Sequence, residues 1–209
     1  MKALARRKFA ASRFVLLAVA FALSGCVSLG AEPPESLLNL SANVSAPTGS
    51  ATSVSGADAV AVHTPEVPAR LDVLRIPVKV SDTEIAYLQD AFWVEKPARL
   101  FRRLIGETLR ARRGGLVLDT DDAPLVAEIA LRGTLREFGY DAQRSAVVVQ
   151  FDAIRSRDRG ADDSSFETRR FEAIEQGVAP ESGAVGAALN RAANSVAGEV
   201  ADWLAEPES

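Results

Sequence analysis

Apolar and polar residues alternate along three neighbouring segments in the second half of the chain. AEIALRGTLRE at 127–137 and SAVVVQFDAIR at 145–155 show the period of two that is typical of half-buried β-strands. SFETRRFEAIEQ at 165–176 follows after a polar turn. The three segments predict consecutive strands of an antiparallel meander.

Three extended segments come earlier in the chain, and the first two are predicted strands. ADAVAVHTPEVP at 57–68 predicts a short strand, and its Pro65 and Pro68 suit an edge or a crossover position. LDVLRIPVKV at 71–80 predicts a second strand. We expect EIAYLQDAFW at 84–93 to be extended and to pair back against it.

Two further segments have helical spacing. The first begins at Pro97 and stops at Gly114, and its apolar stripe consists of Leu100, Phe101, Leu104, Ile105, Thr108 and Leu109. The second covers 181–205 and its stripe consists of Val185, Leu189, Ala192, Val196, Val200 and Trp203. The order β-β-α-β-β-β-α predicts an α+β fold, a two-layer sandwich in which a mostly antiparallel sheet has two helices packed on one face.

Residues 1–25 have the pattern of a secretory signal. Five basic residues and no acidic one accompany FVLLAVAFAL at 14–23, a run too short to cross a bilayer as a permanent helix. LSGC at 23–26 resembles the bacterial lipoprotein box, which implies cleavage between Gly25 and Cys26 and acylation of Cys26. Two or more acyl chains anchor a protein stably. The alternative is an ordinary cleaved signal followed by a coincidental cysteine.

Residues 26–56 are rich in Ser, Ala, Thr, Gly and Pro and have no persistent period. This composition predicts a flexible tether with a root-mean-square reach of roughly 30 Å, followed by a domain at 57–205. SLLNL at 36–40 is either a helical turn, a short docking segment or part of the linker, and the linker is the favoured interpretation.

The composition excludes several classes of function. Beyond the signal the chain has 19 basic and 28 acidic residues, a formal charge of −9, so we expect no nucleic-acid partner. A single cysteine excludes an intrachain disulfide and a thiolate zinc site.

Candidate chemistry is sparse. Asp119, Asp121 and Asp122 superficially suggest a calcium loop, but the required glycine and terminal glutamate are missing. His63 is the sole histidine, and the chain has no phosphate-binding, dinucleotide-binding or nucleophile-elbow motif. We therefore expect a protein that is not an enzyme and that uses no metal or cofactor.

Four residues near the start of the first helix are candidate partner contacts: Trp93, Arg99, Arg102 and Arg103. The arginines suit an acidic protein surface or lipid phosphates, and a solvated helix face is the alternative. Trp93 is either an anchor of the core or an exposed interface residue.

Together these features resemble the ABC-type transport auxiliary lipoproteins, the PqiC-like lipoproteins. The likeness covers roughly residues 57–205 and rests on the LSGC box, the strand LRIPVKV, the passage from Tyr87 through Trp93 and Pro97 to Leu104, and the final alanine-rich helix ending VADWLA. This resemblance adds support to the fold expected from the pattern.

The resemblance implies a non-enzymatic function at the cell envelope. Members of the family accompany an ABC permease, its ATPase and an MCE-domain protein that move lipids or other hydrophobic molecules between the two membranes, and some assemble into rings, which implies a homo-oligomer. Val27 after the cysteine, in place of Asp, favours a lipid anchor in the outer membrane facing the periplasm. A different class stays open: a structural or assembly lipoprotein that binds a barrel protein or an envelope polymer.

Overall fold

The computed structural model describes residues 36–49, 59–119, 127–158 and 164–207. These residues form a mixed sheet and two long helices, which confirms the predicted α+β class. The elements in chain order are β1 (Val60–Val62), β2 (Arg75–Lys79), β3 (Ile85–Phe92), α1 (Pro97–Arg113), β4 (Val117–Leu118), β5 (Ile129–Asp141), β6 (Ala146–Asp158), β7 (Ser164–Gln176) and α2 (Ser182–Ala205).

The longest strands form the predicted meander. β5 pairs antiparallel with β6, and β6 pairs antiparallel with β7 along its whole length. β2 and β3 also form the predicted antiparallel hairpin. Alternation in the sequence therefore located both antiparallel units correctly, because each joins strands that are close along the chain.

The sheet also contains parallel pairs, which the sequence did not predict. β1 and β2 both pair parallel with the free edge of β5, and β4 pairs parallel with β1. β1 thus lies between β4 and β5 and is not an edge strand. Pro65 and Pro68 follow the end of β1, so they remove no hydrogen bond from its ladder.

A β-bulge in β5 changes which residues face the core. The pairing register with β6 shifts between Leu135 and Glu137. Odd-numbered residues such as Leu131 are buried before the shift, and Phe138 and Tyr140 are buried after it. Both ends of this strand therefore contribute to the same hydrophobic core.

The two helices cover one face of the sheet. α1 begins with Pro97 and ends at Gly114, whose φ of 63° places it in the left-handed conformation that favours glycine. α2 packs against α1, β6 and β7. Both predicted apolar stripes are buried. They share one hydrophobic core with the alternate β6 residues that face the helices, namely Val147, Val149, Phe151 and Ala153.

Candidate interaction surfaces

The predicted signal peptide, the cleavage position at Gly25 and the lipidation site at Cys26 lie outside the described residues. Within the described part of the chain, neither helix is long and apolar enough to cross a bilayer. The anchor prediction therefore depends on the sequence pattern, and the described structure concerns the domain that follows it.

Residues 36–49, which we call the strap, lie against the domain. Leu38 forms a parallel bridge with Trp93, with its N–H donating to the Phe92 carbonyl at 2.7 Å and its carbonyl accepting from the Val94 N–H at 2.9 Å. Leu40 is buried at 9% exposure and belongs to the core. The strap thus extends the sheet at β3 before it reaches the helices.

Side chains of α2 hold the strap through hydrogen bonds to its backbone. The Oδ1 atoms of Asn190 and Asn194, four residues apart on α2, accept from the N–H groups of Ser41 and Asn43 at 2.9 and 2.8 Å. The Asn194 amide also donates to the Ser41 carbonyl at 2.9 Å. A Cβ built on Gly186 would lie 2.7 Å from Leu38 Cδ2, so the glycine leaves room for this leucine.

This placement differs from the predicted tether over 26–56. Residues 36–49 dock, which agrees with the less favoured interpretation of SLLNL, whereas 26–35 and 50–56 lie outside the described residues. The docking was missed because Ser and Ala at these positions carry no periodic pattern. Its partners, Asn190 and Asn194, stand about 150 residues further along the chain.

Trp93 belongs to the core. It is 1% exposed, and its ring lies tilted against Phe138 with centroids 5.5 Å apart. Phe101 contacts both Phe138 and Phe151, so one aromatic cluster joins α1, β5 and β6 to Trp93, the residue after β3. Trp93 is therefore positioned as an anchor of the core, and its side chain presents almost no surface to a partner in this conformation.

The candidate arginines on α1 have different environments. Arg102 is only 9% exposed. Arg99 and Arg103 retain 59% and 54% exposure of their side chains, and both form ion pairs with Glu95. Two of the three arginines are therefore at the surface, beside a carboxylate that offsets part of their charge.

The arginines at the end of α1 serve the domain internally. Arg110 binds the Asp119 carboxylate and the Val117 carbonyl, which fixes β4 beside the helix. Arg112 donates to the Gly198 carbonyl and to Asp202, both on α2. These contacts place Asp119 in a structural ion pair. Asp121 and Asp122 lie outside the described residues.

His63 follows β1 and is exposed, and its backbone N–H donates to the Leu131 carbonyl. No cluster of three or more potential metal ligands occurs among the described residues.

The sheet face opposite the helices carries an ion-pair cluster. The Asp152 carboxylate accepts from both Arg136 and Arg170, at 2.8 Å and 2.9 Å respectively. The bond from Arg170 holds the pKa of Asp152 at about 2, well below its ordinary value of 3.8, and Arg136 acts in the same direction. Ile154 and Phe166 are exposed on neighbouring strands of this face, at 38% and 72%.

A pocket of about 150 Å³ lies beside the junction of β2 and β5. Charged side chains of both signs line it: Arg70, Lys79, Glu137, Asp141, Arg144 and Glu172. Lys79 pairs with Asp82 at 2.9 Å, and the hydrogen bond raises the pKa of the lysine. Pro77, Ile85, Tyr140 and Val148 also line it, so the lining is mixed, whereas a lipid acyl chain requires a predominantly apolar one.

Solved structures share this fold. Protein XCC0632 from Xanthomonas campestris is 18% identical, with a TM-score of 0.61 and coverage of 80% of this chain and 94% of that one. An uncharacterized protein reaches the same TM-score at 15% identity, covering 70% and 92%. The PelC dodecamer from Paraburkholderia phytofirmans is less similar, with a TM-score of 0.36, 17% identity and coverage of 72% and 91%.

No curated protein sequence is significantly similar to this chain. A family model, however, matches residues 39–201, which include most of the strap, the whole of α1 and most of α2. The matching model is that of the ABC-type transport auxiliary lipoprotein component, and the chain belongs to this family.

Proposed function

We propose that the protein is a lipid-anchored accessory component of an ABC transporter that moves lipids or other hydrophobic molecules between the inner and outer membranes. Its partners in this proposal are an MCE-domain protein and the permease and ATPase of the transporter. The family match over residues 39–201 is the observation that carries the proposal.

The anchor in this proposal is Cys26. The LSGC box at 23–26 precedes the domain by a short distance, and the family is one of lipoproteins. Two acyl chains at the cysteine would hold the protein at the membrane without a spanning helix. We place this anchor in the outer membrane, with the domain in the periplasm, because Val27 replaces the aspartate associated with retention in the inner membrane.

The domain in this proposal contributes docking and no chemistry. The family is one of transport auxiliary proteins, and ATP hydrolysis belongs to another component of the system. The pocket beside β2 and β5 has a volume of about 150 Å³, smaller than the roughly 300–1,000 Å³ of typical small-molecule sites, which supports contact with a protein partner over binding of a lipid tail inside this domain.

The anchor is tested by Cys26→Ala in cells fed a radiolabelled fatty acid. We expect the wild type to incorporate label and to fractionate with the outer membrane, and the variant to lose both properties. Ser24→Ala, which keeps the cysteine and a small residue, is the matched control. Membrane association of the unlabelled variant would contradict the anchor.

The partners are tested by affinity purification of the full-length protein from solubilised envelopes, followed by mass spectrometry. We expect an MCE-domain protein, a permease and an ATPase to co-purify. Recovery of a β-barrel protein or of peptidoglycan without them would favour a structural or assembly lipoprotein. Light scattering of the purified protein measures whether it forms a homo-oligomer.

A further inference from the structure

An exposed apolar edge surrounds the point where the strap enters the domain. Leu37, Leu74 and Val94 are 51%, 45% and 51% exposed. Their backbones lie side by side, because Leu38 bonds to the residues on both sides of Trp93 and the Trp93 N–H donates to the Leu74 carbonyl at 2.7 Å. We call these three side chains the apolar edge.

Basic side chains lie close to the apolar edge. Arg75, next to Leu74, lies over the rings of Tyr87 and Phe92 at 5.1 and 5.9 Å. Lys96 lies two residues after Val94, and Arg99 and Arg103 follow on the first turns of α1. The carboxylates paired with these cations are Asp72, with Lys96, and Glu95, with both Arg99 and Arg103. Asp90, exposed on β3 two residues before Phe92, is a third carboxylate nearby, so four cations against three carboxylates leave one excess positive charge around an apolar centre.

The strap limits how far this edge can lie from a lipid on Cys26. Because residues 36–49 dock, Cys26 precedes the first docked residue, Ser36, by ten positions along the chain and not by about thirty. Whatever its conformation, a chain of that length spans at most about 35 Å. Ile85, another exposed apolar residue, lies at the far end of the β2–β3 hairpin, where it pairs with Lys79, whereas the strap enters at the end where Phe92 pairs with Arg75.

We propose that the apolar edge contacts the surface of the membrane that holds the lipid anchor. Leu37, Leu74 and Val94 would enter the boundary between headgroups and acyl chains, where the flanking cations meet lipid phosphates. This inference rests on the proposed anchor at Cys26. It assigns an orientation to the domain, with the strap entrance towards the bilayer.

The test uses the single cysteine of the mature chain, residues 26–209, coupled to a maleimide phospholipid in vesicles of phosphatidylethanolamine and phosphatidylglycerol. Chemical coupling makes the result independent of whether cells acylate Cys26. Val94→Trp places a reporter at the edge, and Ile85→Trp, at a position 44% exposed compared with 51%, is the matched control. Brominated acyl chains in the vesicles quench the fluorescence of tryptophans that reach them.

We expect about a twofold loss of the added emission for Val94→Trp and little loss for Ile85→Trp, because side chains at such an edge lie about 5–10 Å inside the interface. Leu74→Asp in the Val94→Trp background should restore the emission. Equal quenching of both reporters, or quenching of neither, would overturn the proposal. Circular dichroism melting curves check that each variant keeps the fold.

Discussion

Asn190 and Asn194 should control whether the strap stays docked. Replacing both by alanine removes three hydrogen bonds to the backbone of Ser41 and Asn43. Each bond contributes a net 0.5–1.5 kcal/mol or so, and partly exposed bonds lie at the lower end, so the strap loses about 2 kcal/mol. That figure corresponds to roughly a thirtyfold increase in the population of open strap.

Global stability should change much less than strap docking. Alanine is a better helix former than asparagine by about 0.6 kcal/mol per site, which recovers about half of the loss. We expect the melting temperature to fall by only a few degrees, about 2–4 °C for a domain of this size.

Amide hydrogen exchange followed by NMR separates these two effects. The N–H groups of Ser41, Asn43 and Ala46 report on the strap, and those of β6 report on global unfolding. Exchange should accelerate at the strap and stay nearly unchanged in β6. Ser195→Ala is the control, since the hydroxyl of this exposed residue of α2 donates to Glu199 on the same helix. Unchanged exchange at Ser41 and Asn43 would refute the assigned contacts.

Substitutions at three other positions test the domain. In urea unfolding, Trp93→Ala should lower the free energy of unfolding by about 3–5 kcal/mol, and Trp93→Phe by less than about 1.5 kcal/mol. Phenylalanine costs less because a ring still packs on Phe138 and because the buried indole N–H of Trp93 has no hydrogen-bond partner among the described residues. Equal costs for the two variants would contradict this explanation. The stability that Asp152 contributes is present above about pH 4, its unfolded pKa, and is lost as the pH falls through about 2. In a plot of unfolding free energy against pH, Asp152→Asn should therefore reduce the loss between about pH 4 and about pH 2 by about 1 kcal/mol after solvent screening. Plots of the wild type and the variant that run parallel over this range would exclude the effect. Arg155→Met removes a buried guanidinium that binds Glu167 and the carbonyls of Trp203 and Glu206. It should lower the free energy of unfolding by about 2–3 kcal/mol and accelerate amide hydrogen exchange at the end of α2. Unchanged exchange there would argue that Arg155 does not hold the end of this helix.

Local patterns in the sequence were sufficient for the elements that depend on local physics. Pro97 and Gly114 mark α1 because proline suits the first turn of a helix and glycine adopts the left-handed conformation at its end. The meander from β5 to β7 followed from alternation and polar turns. The parallel position of β1 was not predictable, since nothing near Val60 specifies its pairing with Ile129.

The candidate surface was only partly predictable, for a related reason. Helical spacing assigned Arg102 to the polar side of α1, but contacts between elements leave it 9% exposed. The apolar edge had no signal in the sequence, because Leu37, Leu74 and Val94 come from three separate segments. The bond from Trp93 to Leu74 brings Leu74 beside Val94, and the docking of Leu38 beside Trp93 adds Leu37.

The strap also has a consequence for the order of folding. The strap residues are the first part of the domain to be synthesised. The side chain that accepts a hydrogen bond from the Ser41 N–H, however, belongs to Asn190, 149 residues later. Closing so long a loop before the sheet and α2 exist would cost conformational entropy with few contacts in return. The strap should therefore dock last. Until the strap docks, more residues separate Cys26 from the folded core in the nascent protein than in the finished protein.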